Sequence, residues 1–144
     1  MKVLFDTTVL VAGTLTQHPN HEPCFVELQR VFSGQHQGYL STHSLAETYS
    51  VLTRLPIQPR ISPANAESII QRLLQYLEPV ALTSKNYQAA IAQMTTLNLA
   101  GGAIFDALIA QAALNISAIR LLTLNPNHFT RLGAAIAQIT EVPQ

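Results

Sequence analysis

The chain has 144 residues, of which 48% are apolar and only 11% charged, against about 25% charged in a typical soluble domain. Eight basic and eight acidic side chains cancel, so the composition does not predict a broadly basic nucleic-acid-binding face, although a local one stays open. A single cysteine excludes an internal disulfide framework and a cysteine-based zinc site, and no apolar stretch is long enough to span a membrane. We therefore expect one cytoplasmic domain, residues 1–144.

Short apolar runs that end in turn-prone residues predict strands. They lie at residues 2–5, 39–42, 80–82 and 119–124, with a fifth at 136–139. Apolar residues at helical spacing predict helices between the strands. These lie at about residues 22–32, 44–55, 63–77, 87–97 and 102–115, and residues 7–15 can begin a further helix. The alternation predicts an α/β fold in which helices flank a central parallel β-sheet on both faces.

Two polar side chains follow predicted strands directly. Asp6 comes at the end of the first strand, and Asn125 comes after the fourth. In parallel α/β sheets, ligands bind outside the carboxyl ends of the strands. We therefore expect Asp6 and Asn125 to share a site at this edge of the sheet.

The only two aspartates of the chain stand alone in long uncharged stretches. Asp6 is the sole formal charge in residues 3–21, and Asp106 is the sole formal charge in residues 86–119. Burying an ionised carboxylate without a partner costs a large free energy, so such groups are normally paired, protonated or bound to a metal. Because neither has a cation nearby in sequence, a shared divalent cation is an attractive explanation.

Each acid also has a structural interpretation. Asp6 can cap a helix that begins after the first strand. Asp106 can be favoured by a helix macrodipole, although a helix that starts at Gly102 places it beyond the first turn. Glu47 fits a capping box with Ser44, and its position on the helical wheel suggests a solvated acid. From the residues alone these alternatives stay open.

Four segments together resemble the motifs of the PIN-domain family, in order and with the family's spacing, over nearly the whole chain. They are Phe5-Asp6-Thr-Thr-Val-Leu-Val11, His43-Ser-Leu-Ala-Glu47-Thr-Tyr-Ser-Val-Leu-Thr-Arg54-Leu-Pro56, Gly101-Gly-Ala-Ile-Phe-Asp106-Ala-Leu-Ile-Ala110 and Leu122-Thr-Leu-Asn125-Pro-Asn-His-Phe129. The likeness is greatest to the VapC-type toxin ribonucleases of that family. It implies a three-layer PIN-like fold in which Asp6, Glu47 and Asp106 converge and bind Mg²⁺ or Mn²⁺.

The resemblance also implies roles for other residues. Asn125 stands where the family often has a fourth acid, and it can offer a neutral oxygen but no charge. Thr8 stands where the family often has Asn. We count Asn125 with the three acids as catalytic, and we predict that Thr7 and Arg54 contact the substrate. Arg54 is equally well explained as a surface arginine whose stem covers apolar surface.

Two other chemistries have no support in the sequence. The five histidines lack the His-Glu-x-x-His spacing of a zinc enzyme, and the Gly101-Gly102 pair lacks the lysine and hydroxyl residues of a phosphate-binding loop. The resemblance implies a metal-dependent endoribonuclease, the toxin of a type II VapBC toxin–antitoxin pair. It further implies a homodimer and a VapB-like antitoxin that covers the active-site cleft. The alternative is a PIN-fold binding module with weakened catalysis, which Asn125 and the neutral charge keep open.

Overall fold

Five short parallel strands form one sheet in a computed structural model that describes residues 1–144. The strands are β1 (Lys2–Phe5), β2 (Gln37–Ser41), β3 (Leu77–Val80), β4 (Arg120–Leu122) and β5 (Thr140–Glu141). They lie side by side in the order β3-β2-β1-β4-β5, and every neighbouring pair is parallel. The predicted α/β fold with a central parallel sheet is confirmed.

Helices connect the strands and cover the sheet. They are α1 (Thr7–Thr14), α2 (His21–Phe32), α3 (Thr42–Arg54), α4 (Pro63–Leu73), α5 (Ser84–Leu97), α6 (Ala103–Asn115), α7 (Pro126–Thr130) and α8 (Ala134–Ile139). None of them is long and apolar enough to cross a membrane.

Strand β1 lies at the centre of the sheet and is buried on both faces. Val3 and Phe5 belong to a core cluster with Leu10 of α1 and Leu28 of α2, whereas Leu4 belongs to a second cluster built largely from α6. This division follows from the strand period of two, which points successive side chains to opposite faces. The helices therefore form a layer on each side, as the alternating sequence pattern predicts.

Two predicted elements are wrong, each where a short apolar run fits two structures. Leu77, predicted as the end of a helix, is the first residue of β3, because α4 already ends at Leu73 and a turn follows. The strand predicted at residues 136–139 is helix α8, because this segment is rich in alanine, the strongest helix former. Periodicity alone does not separate such short segments.

A buried ion-pair cluster lies at the amino end of β4. Arg120 donates two hydrogen bonds to Glu27 of α2, at 2.9 and 3.0 Å, and a third to Glu141 of β5 at 2.8 Å. Burial raises the pKa of Glu27, but the bonds and charges of Arg120 and Arg30 outweigh it and hold that pKa below its usual range. The cluster joins α2 to two strands at the end of the sheet opposite the predicted site.

Candidate metal centre

The predicted acids meet in one cavity at the carboxyl ends of β1 and β4. The cavity has a volume of about 540 Å³. Its polar lining is Asp6, Thr7, Thr8, His18, Asn20, Glu47, Asp106 and Asn125, and its apolar lining is Val11, Val51, Leu55 and Leu124. Parallel pairing of β1 with β4 places Asp6 beside the segment that follows Leu122. The fold therefore brings together residues that lie up to about 120 positions apart in the sequence, as sheets of this class do at their carboxyl ends.

Asp6 is buried, with 4% of its surface exposed, and its side chain makes no capping hydrogen bond to α1. Asp6 does occupy the N-cap position of α1, as one interpretation predicted, but its carboxylate is free of a capping role. Its Oδ2 instead accepts hydrogen bonds from the hydroxyls of Thr8 and Thr123, both at 2.8 Å. None of the ion pairs of the protein includes Asp6.

The two threonine hydroxyls are themselves oriented by the backbone. The Leu124 N–H donates to Thr8 Oγ1 at 3.1 Å, and the Asn125 N–H donates to Thr123 Oγ1 at 3.0 Å. Because each hydroxyl oxygen accepts from an N–H, its proton is directed at Asp6. We call Thr8 and Thr123 the hydroxyl clamp. It fixes Oδ2 and leaves Oδ1 without a hydroxyl donor.

Asp106 lies in the first turn of α6, which begins at Ala103. The helix macrodipole therefore does act on it, and the expectation that Asp106 lies beyond the first turn is wrong. Burial and the charge of Asp6 nevertheless raise the pKa of Asp106 to about 6. Burial, together with the charge of Glu47, also raises the pKa of Asp6, although the hydroxyl clamp opposes this. The acids are thus close enough to disfavour each other's charge.

Glu47 lies in the second turn of α3 and not in a capping box. The cap of α3 is Ser41, whose hydroxyl accepts from the Ser44 N–H at 3.0 Å. Glu47 Oε2 lies 3.3 Å from His43 Nε2, one helical turn earlier. This hydrogen bond outweighs burial and lowers the pKa of Glu47. Glu47 is therefore the acid of the cavity that stays ionised most readily.

The sequence analysis did not place the basic side chains His128 and Arg131 beside Asp106. His128 Nδ1 lies 3.5 Å and Arg131 Nη2 lies 4.0 Å from Asp106 Oδ2. His128 lies in α7 and Arg131 directly follows it, in a part of the chain for which no helix was predicted. Pro126 was the available sequence signal for this helix, because proline favours the first helical position. In a helix, residues three apart such as His128 and Arg131 lie on the same face.

The loop between α1 and α2 adds a further side of the cavity. His18 and Asn20 line it, and the Asn20 N–H donates to His18 Nδ1 at 3.0 Å. In the neutral ring this bond leaves the proton on Nε2, so His18 can donate. The polar run of residues 16–20 was visible in the sequence, but nothing in it pointed toward the acids.

The two predicted substrate-contacting residues differ in position. The Thr7 hydroxyl is buried and donates to Ser44 Oγ at 3.0 Å, which ties α1 to α3. Arg54 is exposed at the end of α3 and does not line the cavity, although its charge helps to lower the pKa of Glu47. Their contacts with a substrate stay predictions.

The donor set of the cavity matches a hard divalent cation. Three carboxylates and the Asn125 amide supply oxygen, the ligand atom that Mg²⁺ and Mn²⁺ prefer. The charge of Glu47 helps to raise the pKa of Asp6, and the charges of Asp6 and Glu47 help to raise that of Asp106; a cation between the acids would remove this repulsion. No group of three acidic, histidine or cysteine side chains is already close enough to hold an ion by itself. A cation held here would therefore need waters or movement of the side chains to complete its coordination.

Known proteins share this sequence pattern and this fold. The model of the PIN domain family matches residues 3–135. Ribonuclease VapC40 of Mycobacterium tuberculosis is 38% identical over 120 residues, 82% of each chain. Ribonuclease VapC27 of the same organism is 32% identical over 108 residues, 75% of this chain and 74% of the relative.

Two solved structures share the fold. The VapBC2 structure from Rickettsia felis, bound to a DNA fragment from its promoter, superimposes with a TM-score of 0.72 and 21% identity over 100% of both chains. Mycobacterium tuberculosis VapC20, a toxin that cleaves the sarcin–ricin loop, gives 0.64 and 16% identity over 83% of this chain and 86% of that one. Nucleases of the PIN domain are generally metal-dependent. The chain belongs to the PIN-domain family and, within it, to the VapC-type toxin ribonucleases.

Proposed function

We propose that this protein cleaves RNA phosphodiester bonds with Mg²⁺ or Mn²⁺ held by Asp6, Glu47 and Asp106. The observation that carries the proposal is Asp6, a buried acid without any ion-pair partner in a cavity that two further carboxylates line. A bound divalent cation would stabilise charge on the phosphoryl group and activate a water for attack. The identity to VapC ribonucleases supports RNA as the substrate.

The residues around the acids support distinct roles. The hydroxyl clamp holds one oxygen of Asp6, so Oδ1 is the atom we assign to the cation. Glu47, oriented by His43 and with a lowered pKa, is ionised at neutral pH and suited to hold the cation through a water or to orient the attacking water. Asn125 offers a neutral amide, which supports a single tightly held ion more than two.

Cations at the rim support binding of the RNA backbone. Arg131 and His128 lie beside Asp106, and Arg54 lies near enough to Glu47 to lower its pKa. When a metal neutralises the acids, these side chains become available to phosphate oxygens. The zero net charge of the chain makes such local cations more important than a general basic surface.

The proposal includes the partners of a type II system. We propose a homodimer and a VapB-like antitoxin whose peptide covers the cavity. The VapBC2 structure of a protein with this fold supports an antitoxin, and the low charged content of 11% suits broad protein contacts. Exposed apolar residues such as Ile91 and Ile119 offer surface for them.

Metal-dependent cleavage tests the proposal directly. Purified protein should cleave a panel of single-stranded and structured RNAs in Mg²⁺ or Mn²⁺ and stop in a chelator. Asp6→Asn and Asp106→Asn should abolish cleavage, whereas Glu67→Gln, which removes an exposed acid on α4, should not. No cleavage by the wild-type protein under any of these conditions would favour the alternative, a binding module. Asn125 in place of a fourth acid supports that alternative, as does the lack of three side chains close enough together to hold an ion.

A further inference from the structure

An exposed aromatic ring lies outside the lining of the cavity and is linked to Glu47 through His43. Phe105 precedes Asp106 in the first turn of α6, and 47% of its surface is exposed. One face of its ring stacks on the imidazole of His43, with the ring centroids 5.0 Å apart and an interplanar angle of 5°. His43 in turn contacts Glu47. The stack therefore joins the helices that carry two of the three acids.

The Phe105 ring is about half exposed and stacks on one other ring, that of His43. The His43 side chain is largely buried and held by Glu47. Leaving a phenylalanine half exposed forgoes the stabilisation that burial would bring. A half-exposed ring supported by one stacked partner is suited to receive another flat group.

The position and the charge of the protein point to a nucleobase. Every base has a flat π-face, and stacking on an aromatic side chain is tolerant of sequence. The protein has no net positive charge, so contacts other than phosphate attraction must add to RNA affinity. Because His43 links the Phe105 ring to Glu47 of the cavity, a base stacked on this ring would lie close to the phosphate that the cavity would hold.

We propose that Phe105, supported by His43, is the stacking platform for one unpaired RNA base next to the scissile phosphate. The inference rests on the proposed function, because it takes RNA as the substrate. It adds a requirement that the acids do not impose, namely that this base must be unstacked from the RNA. Specificity then depends in part on which RNA segments can present a free base at that position.

Binding of short single-stranded RNA to an Asp6→Asn background, measured by fluorescence anisotropy, tests the platform without cleavage. Adding Phe105→Leu, which keeps an apolar side chain but removes the ring, should weaken binding roughly 5- to 100-fold. Phe105→Trp should restore it. Tyr76→Leu is the matched control, because it removes an equally exposed ring at the amino end of β3. It should leave binding unchanged.

RNAs with one abasic nucleotide identify the stacked base. For one position, the abasic RNA should bind the Asp6→Asn protein as weakly as intact RNA binds the Asp6→Asn/Phe105→Leu protein. Combining that abasic RNA with the Phe105→Leu substitution should weaken binding no further. Equal affinity of the Phe105→Leu protein, or the same loss against every abasic RNA, overturns the platform.

Three further outcomes also overturn it, for different reasons. If Phe105→Leu turns a dimer into a monomer while RNA affinity per subunit is unchanged, the ring belongs to a protein interface. If the wild-type protein neither binds nor cleaves RNA in Mg²⁺ or Mn²⁺, the proposed function fails and the platform fails with it. Metal-dependent cleavage that Phe105→Leu leaves unaltered removes the platform alone.

Discussion

Replacing Thr8 by valine tests how Asp6 is kept ready for a cation. Valine has the shape of threonine without its hydroxyl, so the bond to Asp6 Oδ2 and the bond from the Leu124 N–H are both lost. A hydrogen bond to a charged group contributes about 1.5–3 kcal/mol. Because this bond lowers the pKa of Asp6 against the effect of burial, its loss makes ionised Asp6 less favourable. Groups that orient metal ligands in this way typically change metal affinity about 10- to 100-fold.

The assay is calorimetric titration of Mn²⁺ near neutral pH. Thr8→Val should bind Mn²⁺ about 10- to 100-fold more weakly than the wild type. Thr8→Ser keeps the hydroxyl and should bind within a few-fold of it. Thermal melting in a chelator separates loss of the fold from loss of the ligand. A folded Thr8→Val protein that binds Mn²⁺ as tightly as the wild type would refute the role of the hydroxyl clamp.

The charges around the site and at the opposite end of the sheet make four other effects testable. Since burial and Asp6 raise the pKa of Asp106 to about 6, Mn²⁺ must displace a proton below that value. Its affinity should fall as pH drops through about 6, and a flat profile in titrations across this range would contradict the assignment. For the same reason the metal-free folded state holds a proton that the unfolded state releases, so its free energy of unfolding, measured in a chelator, should fall as pH rises from the usual Asp pKa of 3.8 to about 6. Arg120→Met leaves Glu27 buried without its main partner and should lower the free energy of unfolding by about 3–5 kcal/mol in urea denaturation, with Mn²⁺ affinity unchanged. An unfolding free energy close to that of the wild type would argue against the ion-pair cluster. Arg131→Gln removes a cation near Asp106, so it should tighten Mn²⁺ binding slightly and weaken RNA binding in anisotropy measurements at low salt; tighter RNA binding would contradict the phosphate-contact role.

The sequence predicted the acids of the site better than their surroundings. Asp6 and Asp106 were conspicuous because each is alone in a long uncharged stretch, and burial with little charge compensation is what the structure has at Asp6. The helical wheel did not indicate that Glu47 belongs to the site. Its partner His43 lies one turn earlier in α3, and the predicted helix began at residue 44, after His43. The motif resemblance, and not periodicity, placed Glu47 with the two aspartates.

The geometry of the hydroxyl clamp and the position of the basic side chains beside Asp106 could not be derived from the sequence. Thr123 looks like an ordinary strand residue, and only the pairing of β1 with β4 brings its hydroxyl to Asp6. Arg131 depends on α7, a helix of five residues that is too short for a periodic apolar pattern. Contacts between distant segments depend on register, which the spacing of polar residues along the chain does not encode.

The electron paramagnetic resonance signal of free Mn²⁺ tests the central claim most directly, since the signal weakens when the ion binds protein. Near neutral pH, wild-type protein and Glu67→Gln should both remove the signal in a saturable way. Asp6→Asn and Asp106→Asn should each leave most of it. Wild-type protein that leaves the signal unchanged up to millimolar Mn²⁺, or an Asp6→Asn protein that binds as the wild type does, would contradict a metal centre built on these acids.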